Sequence, residues 1–165
     1  EGKMTVDDQH VLVMTEVMTP EKANFRGNVH GGHLLRLMDQ VAYACAARYS
    51  HRYVMTLSVN KVLFKRPVKV GDLVTCRASV NYVGRSSMEV GIRVESEDLK
   101  SGESTHTNSC YFTMVAVDES MKPVAVTPLV LKTPDQKRRF EHAKLRRELQ
   151  ARLEKEHDQL KGDTQ

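Results

Sequence analysis

Apolar residues recur at two different periods along this chain, and the switch between them lays out the elements. Residues 31–50 place Leu35, Met38, Ala42, Cys45, Ala46 and Tyr49 at steps of three and four, the period of one helix face. Leu34, Leu37 and Val41 widen that surface, while His33, Arg36 and Gln40 keep only a narrow polar face. A helix this apolar should be largely enclosed by other structure. Before it, 10–18 reads as a strand rich in Val, Met and Thr, ended by Thr19-Pro20, and 21–30 as a polar, glycine-containing loop. After it the pattern predicts strands at 54–64, 73–83, 88–97 and 103–117. Val90, Ile92 and Val94 alternate there with Glu89, Arg93 and Glu95. Pro67 and Gly71-Asp72 mark one turn, 84–86 is a tight connection, 99–102 turns the chain, and 118–122 closes the last strand. Hairpin-length connections argue for an antiparallel sheet. One long apolar helix packed on one curved sheet is an α+β arrangement.

The tail is built differently. Thr133-Pro134-Asp135-Gln136 carries a capping-box pattern with proline at the first helical position. A charged helix should follow to about residue 160, with Leu145, Leu149 and Leu153 as a thin stripe that docks at one end and frays at the other. The expected organisation is a flexible N-terminus at 1–9, a folded domain at 10–130, and a charged C-terminal helix and tail at 131–165. A length of 165 residues, 40% hydrophobic and 28% charged, suits one soluble domain with one core. The net charge of +4 suits an anionic ligand such as a nucleotide or phosphate, and suits nucleic acid equally.

Cys45, Cys76 and Cys110 are far apart and sit in apolar stretches, which reads as reduced core cysteines in a cytoplasmic protein. No run is apolar and long enough to span a bilayer. No apolar region follows Glu1-Gly2-Lys3-Met4, so a secretory leader is not expected, and Met4 is a candidate start residue.

Asp39 breaks its own pattern. It falls four residues after Leu35 and three before Ala42, on the apolar stripe. A carboxylate there should lose water, which raises its pKa and makes it a stronger base. The same position also suits a buried aspartate bonded to backbone amides or to an arginine, and on the residues alone both readings stay open. Upstream stands Asn24-Phe25-Arg26-Gly27-Asn28-Val29-His30-Gly31-Gly32. Paired glycines at a helix start let a ligand approach the backbone, and first-turn amides there can donate to a carbonyl oxygen gaining negative charge. Asn24 could orient a water or bond a carbonyl, or could simply hold a turn.

Other groups carry less. Arg85 with Ser86 and Ser87 could bind phosphate through paired donors, or form a solvated hairpin tip. Lys61, Lys65 and Arg66 could add positive field near a nucleotide. His30 and His33 lack the partners of a metal site, so no metal and no cofactor are expected. There is no G-x-S-x-G nucleophile elbow, and Cys45 has no evident basic partner. Lys137, Arg138, Arg139, Lys144, Arg146 and Arg147 make the tail basic, but no aromatic platform accompanies them, and no nucleic-acid partner is expected.

Gly27-x-x-x-Gly31-Gly32-x-x-x-x-x-x-Asp39 resembles the signature of hot-dog-fold acyl-CoA thioesterases. The resemblance is to the cytosolic (brain-type) acyl-CoA hydrolases and their bacterial single-domain, YciA-like relatives. Phe64-Lys65-Arg66-Pro67, Val70-Gly71-Asp72, Val83-Gly84-Arg85-Ser86-Ser87 and Phe112-Thr113-Met114-Val115-Ala116-Val117 follow in the family order, covering about 10–126. The resemblance implies a long central helix wrapped by a curved antiparallel sheet of about five to six strands, with a C-terminal helix added here. It implies hydrolysis of fatty acyl-CoA in a homodimer, with two sites between subunits, often assembled as a trimer of dimers. Asp39 would be general base or nucleophile, and Asn24 would be contributed across the interface. Gly31 and Gly32 would polarise the thioester carbonyl, and Gly84, Arg85, Ser86, Ser87 and Lys65 would hold CoA. A CoA- or nucleotide-binding module without turnover, or a hot-dog hydratase or dehydratase, is the alternative. Some relatives carry two such domains in tandem, whereas this chain shows one, and the family pattern does not account for the long basic tail.

Overall fold

Five strands form one antiparallel sheet in the computed structural model, which describes residues 9–162. They are β1 (Val11–Val17), β2 (Tyr53–Val59), β3 (Leu73–Val83), β4 (Ser87–Glu97) and β5 (Ser104–Val117), in the order β1-β3-β4-β5-β2. The long helix α1 (Gly31–Ser50) lies between β1 and β2 in sequence and touches all five strands. This is the hot-dog arrangement, and it makes the two strands flanking α1 in sequence the two edges of the sheet. Of the N-terminal segment expected to be flexible, residues 1–8 lie outside the described residues, as do 163–165 of the tail.

Register explains the core. Cys76 pairs with Val94, Ala78 with Ile92, Ile92 with Cys110 and Val90 with Phe112, so even-numbered apolar side chains share the face that packs on α1. From α1 they meet Leu34, Leu37, Met38, Val41, Ala42, Cys45 and Ala46, all buried. Most of the expected helix face is the buried one. Met38, Ala42, Cys45 and Ala46 turn inward together with Leu34, Leu37 and Val41, whereas Leu35 is exposed and Tyr49 is half-buried, its hydroxyl donating to the Thr127 carbonyl at 2.9 Å. The helix is apolar over more than half its circumference, so periodicity alone does not choose which part turns inward. The sheet covers one part and leaves the other open.

Cys45, Cys76 and Cys110 are unpaired and buried. Burial pushes each thiol up to about 12, so all three are inert packing groups.

The strand expected at 54–64 stops at Val59. Beyond it Asn60 N–H still reaches the Tyr111 carbonyl (2.9 Å) and Lys65 N–H the Thr107 carbonyl (3.4 Å), but among the described residues 61–64 make no such bond and the regular ladder has ended. An apolar run looks the same in an edge strand and in an extended connection, and only the hydrogen-bond ladder separates them. The other strands lie within a residue of their expected limits.

The chain divides into two compact units, one running to Pro128 and one beginning at Leu129. The second holds α2 (Pro134–Gly162). Its capping box is formed: Gln136 N–H donates to Thr133 Oγ1 (3.2 Å) and Thr133 N–H donates to Gln136 Oε1 (3.0 Å). Among the described residues no helix is long and apolar enough to cross a membrane.

Candidate active site

Asp39 projects from the side of α1 that the sheet does not cover, and within one chain it is exposed. The expectation that its own core desolvates it is therefore corrected: it belongs with Leu35 and Tyr43, not with Met38 and Ala42. It is nevertheless held. Thr56, on edge strand β2, donates its hydroxyl to Asp39 Oδ1 at 2.6 Å, with its Oγ1 3.6 Å from Met114 Sδ. A bond this short to a carboxylate fixes the orientation of the carboxyl plane and leaves Oδ2 for another donor. Exposed apolar side chains are frequent on the two elements that carry this pair: Leu35 and Tyr43 on α1, and Tyr53, Met55, Leu57 and Val59 along β2, Leu57 to 69%. Tyr43 and Tyr53 meet edge to face at 6.0 Å. An exposed apolar patch along an open strand edge is the signature of a surface that another chain covers.

The start of α1 and the loop before it form a second constellation. Asn24 Oδ1 accepts from the N–H groups of Arg26 (2.9 Å) and Asn28 (3.2 Å), closing a turn in which Gly27 has φ +78°. That commits the side-chain oxygen of Asn24 and leaves its NH₂ donors without a partner among the described residues. His30 caps the helix, its Nδ1 accepting from Gly32 N–H at 3.3 Å. Of the two glycine amides expected to face a ligand, Gly32 is thus already engaged, and Gly31 takes no acceptor among the described residues. Neither glycine has a positive φ, and a Cβ on either would meet nothing closer than 3.6 Å. The fold of one chain does not demand glycine at either place; what the missing side chains leave is open access to the backbone. Glu16 on β1 braces this corner, accepting from Lys22 Nζ (2.6 Å) with Oε1 and lying 3.2 Å from His33 Nε2 with Oε2. The Lys22 ammonium, then the His33 ring, hold the Glu16 carboxyl below its ordinary value, against the opposing effect of burial.

Residues 26–103 match the thioesterase superfamily. Protein VdlD of Helicobacter pylori is 51% identical over 150 residues, covering 90% of this chain and 86% of that one. The chain belongs to the thioesterase superfamily. A crystal structure of an apo-hexameric acyl-CoA thioesterase superposes with a TM-score of 0.84 at 36% identity, covering 88% of this chain and 94% of that one. The acyl-CoA hydrolase of Staphylococcus aureus, solved with butyryl coenzyme A, coenzyme A and coenzyme A disulfide, has a TM-score of 0.84 at 27% identity, covering 93% and 94%. Structures of that hydrolase include variants with alanine in place of an asparagine, an aspartate and a threonine. These three are spaced along that chain as Asn24, Asp39 and Thr56 are along this one. The family is one of thioester hydrolases, so the chain is an enzyme of that class.

Within this thioesterase the remaining candidates lie at other places. Gly84–Ser87 form the β3–β4 turn, with Gly84 N–H on the Ser87 carbonyl (2.8 Å). The Arg85 and Ser86 carbonyls accept from Val126 and Ala116 N–H, at 2.9 and 2.8 Å. The turn is therefore pinned while the Arg85 side chain stays exposed. Lys65 is exposed in the irregular stretch after β2. Neither cation pairs with a carboxylate among the described residues, and neither touches Asp39 within the chain. Sequence reasoning missed Thr56 and the capping role of His30. A threonine in a strand reads as ordinary β-former, and nothing local shows that a residue on an edge strand meets the middle of α1.

Proposed function

We propose that this enzyme hydrolyses fatty acyl-CoA to free fatty acid and CoA, in a site completed by a second copy of the chain. The observation that carries the reading is the 2.6 Å bond from Thr56 to Asp39 on an uncovered apolar face. A carboxylate aimed and orientated there needs only a covering partner to become a desolvated base.

Helix geometry supports division of the site between copies. Gly31 and Asp39 are just over two turns apart on one helix, about 12 Å along its axis. A carbonyl held by the Gly31 amide of the same chain would stand well beyond the ~3 Å at which a nucleophile attacks. Supplying Asp39 and Thr56 from one chain, and Gly31 with Asn24 from the other, removes the mismatch. A homodimer with two equivalent sites follows, and three such dimers would make a hexamer, the state named for two solved relatives. In this reading Asp39 takes a proton from water as the oxygen attacks the carbonyl carbon, and the C–S bond then breaks to release CoA thiolate, which is protonated. Direct attack by Asp39, giving an anhydride that water cleaves, uses the same geometry. Gly31 N–H donates to the carbonyl oxygen, and Asn24 Nδ2 donates to the water or the carbonyl. Arg85, with Gly84, Ser86, Ser87 and Lys65, holds CoA phosphate. No metal or added cofactor is needed, and the cytoplasm, where acyl-CoA is made and used, is the setting.

The test is thiol release from a panel of acyl-CoA esters. Asp39→Ala should lose roughly a thousandfold in kcat or more, as removing a general base or nucleophile does, while CoA binding and thermal melting stay close to those of the parent. Unchanged kcat would exclude Asp39, and tight CoA binding with no release by the parent enzyme would point to a sensor instead.

A further inference from the structure

Helix α2 carries a leucine stripe with an internal two-fold pattern, and we propose that it pairs antiparallel with α2 of a second copy, crossing at Leu149. Leu145, Leu149 and Leu153 are 53%, 53% and 61% exposed. Their four-residue spacing puts them on one ridge of the helix, and two such ridges interdigitate at an angle of about 50°. The stripe reads the same from either end: Leu145 and Leu153 are equidistant from Leu149.

Charge decides the direction. His142 lies on the stripe face one turn before Leu145, and Glu156 lies on it one turn after Leu153, both exposed. An antiparallel crossing at Leu149 brings His142 of each helix towards Glu156 of the other, and Arg152 towards Glu148. A parallel crossing sets Glu156 against Glu156, which repel. The occupant is therefore the same segment of another copy. Six half-exposed leucines bury a few hundred Å², short of the roughly 1,200 Å² of a stable free-standing interface. Such a contact serves chains already joined elsewhere, where linkage supplies the effective concentration. That is the situation of a subunit in an oligomer, and it gives the tail a role in assembly independent of the thioesterase chemistry.

Cysteine scanning in the full-length protein tests the pairing. At a helix crossing with axes about 8–10 Å apart, Cα atoms at a radius of about 2.3 Å approach to about 5 Å, within disulfide range. Leu149→Cys should therefore cross-link to itself under mild oxidation, giving a covalent dimer on a denaturing, non-reducing gel. Leu145→Cys and Leu153→Cys should each stay mainly monomeric, and the Leu145→Cys/Leu153→Cys double variant should cross-link. The native cysteines are buried, so the parent chain should give no dimer band. The rate for Leu149→Cys should not change when the protein is diluted tenfold above its assembly threshold. No cross-link at Leu149→Cys would overturn the proposal. So would equal cross-linking at Leu145→Cys alone, which would mark a parallel pair, or a rate falling in proportion to dilution, which would mark collisions between assemblies.

Discussion

Replacing Thr56 by valine removes one hydroxyl and keeps the shape. Valine is β-branched, favours a strand as threonine does, and fills the space beside Met114. What it takes away is the 2.6 Å donor to Asp39 Oδ1. A hydrogen bond to a charged group contributes about 1.5–3 kcal/mol, with the lower figure applying where water competes. In the isolated chain Asp39 is exposed and water replaces the lost donor cheaply. In a site closed by a second copy water is excluded, so most of the loss falls on the catalytically orientated carboxylate. At about 1.4 kcal/mol per tenfold, kcat should fall roughly 10- to 100-fold. The KM for acyl-CoA should hardly move, because Thr56 does not reach substrate in this reading. Steady-state thiol release gives both constants, and thermal melting confirms that the fold is kept. Thr56→Ser restores the hydroxyl and should recover most of the rate. A Thr56→Val enzyme with kcat within twofold of the parent would refute the reasoning. A Thr56→Ser enzyme as slow as Thr56→Val would do so as well, since the hydroxyl would then be irrelevant.

Other changes separate binding, packing and charge. Arg85→Ala should raise KM for CoA esters about tenfold at low salt, leave kcat nearly unchanged, and show a smaller effect as salt screens the phosphate; an effect on kcat alone would remove Arg85 from CoA binding. Gly91→Ala should destabilise the domain by about 1–3 kcal/mol in denaturant unfolding, because its Cβ would stand 2.3 Å from the buried Asn81 Nδ2 and 3.3 Å from the Tyr111 ring. Asn81 is held at the same time by the Ser79 hydroxyl on its Oδ1 (2.6 Å), so it has little freedom to withdraw. Glu16→Gln should lower stability at neutral pH by a small amount. The folded Glu16 carboxyl titrates below its ordinary 4.5, so its contribution is complete above that pH and fades as pH falls through the lower folded value. The melting difference between parent and variant should accordingly close on acidification below about 4.5.

Much of the fold can be read from residue order because its causes are local. The alternation in 88–97 and the turns at Gly71-Asp72 and 84–86 place β3, β4 and their hairpin. The Thr133 and Gln136 pair places the start of α2. Those signals depend on period, turn chemistry and capping, which act over a few residues. The candidate site was legible in its aspartate, because a carboxylate within an apolar helix is visible as a misfit. The surroundings of that aspartate depended on tertiary structure. Leu34 and Leu35 are equally apolar and adjacent, yet one is core and the other surface, since only the sheet determines which side of α1 it covers. Thr56 becomes a partner of Asp39 because β2 lies at the sheet edge beside that helix, a pairing set by strand order and not by the run of Tyr, Val, Met and Leu around it. Residue order determined which chemistry the chain carries; the arrangement of the sheet decided where that chemistry is open to a partner, because burial is a property of what packs against a residue and not of the residue itself.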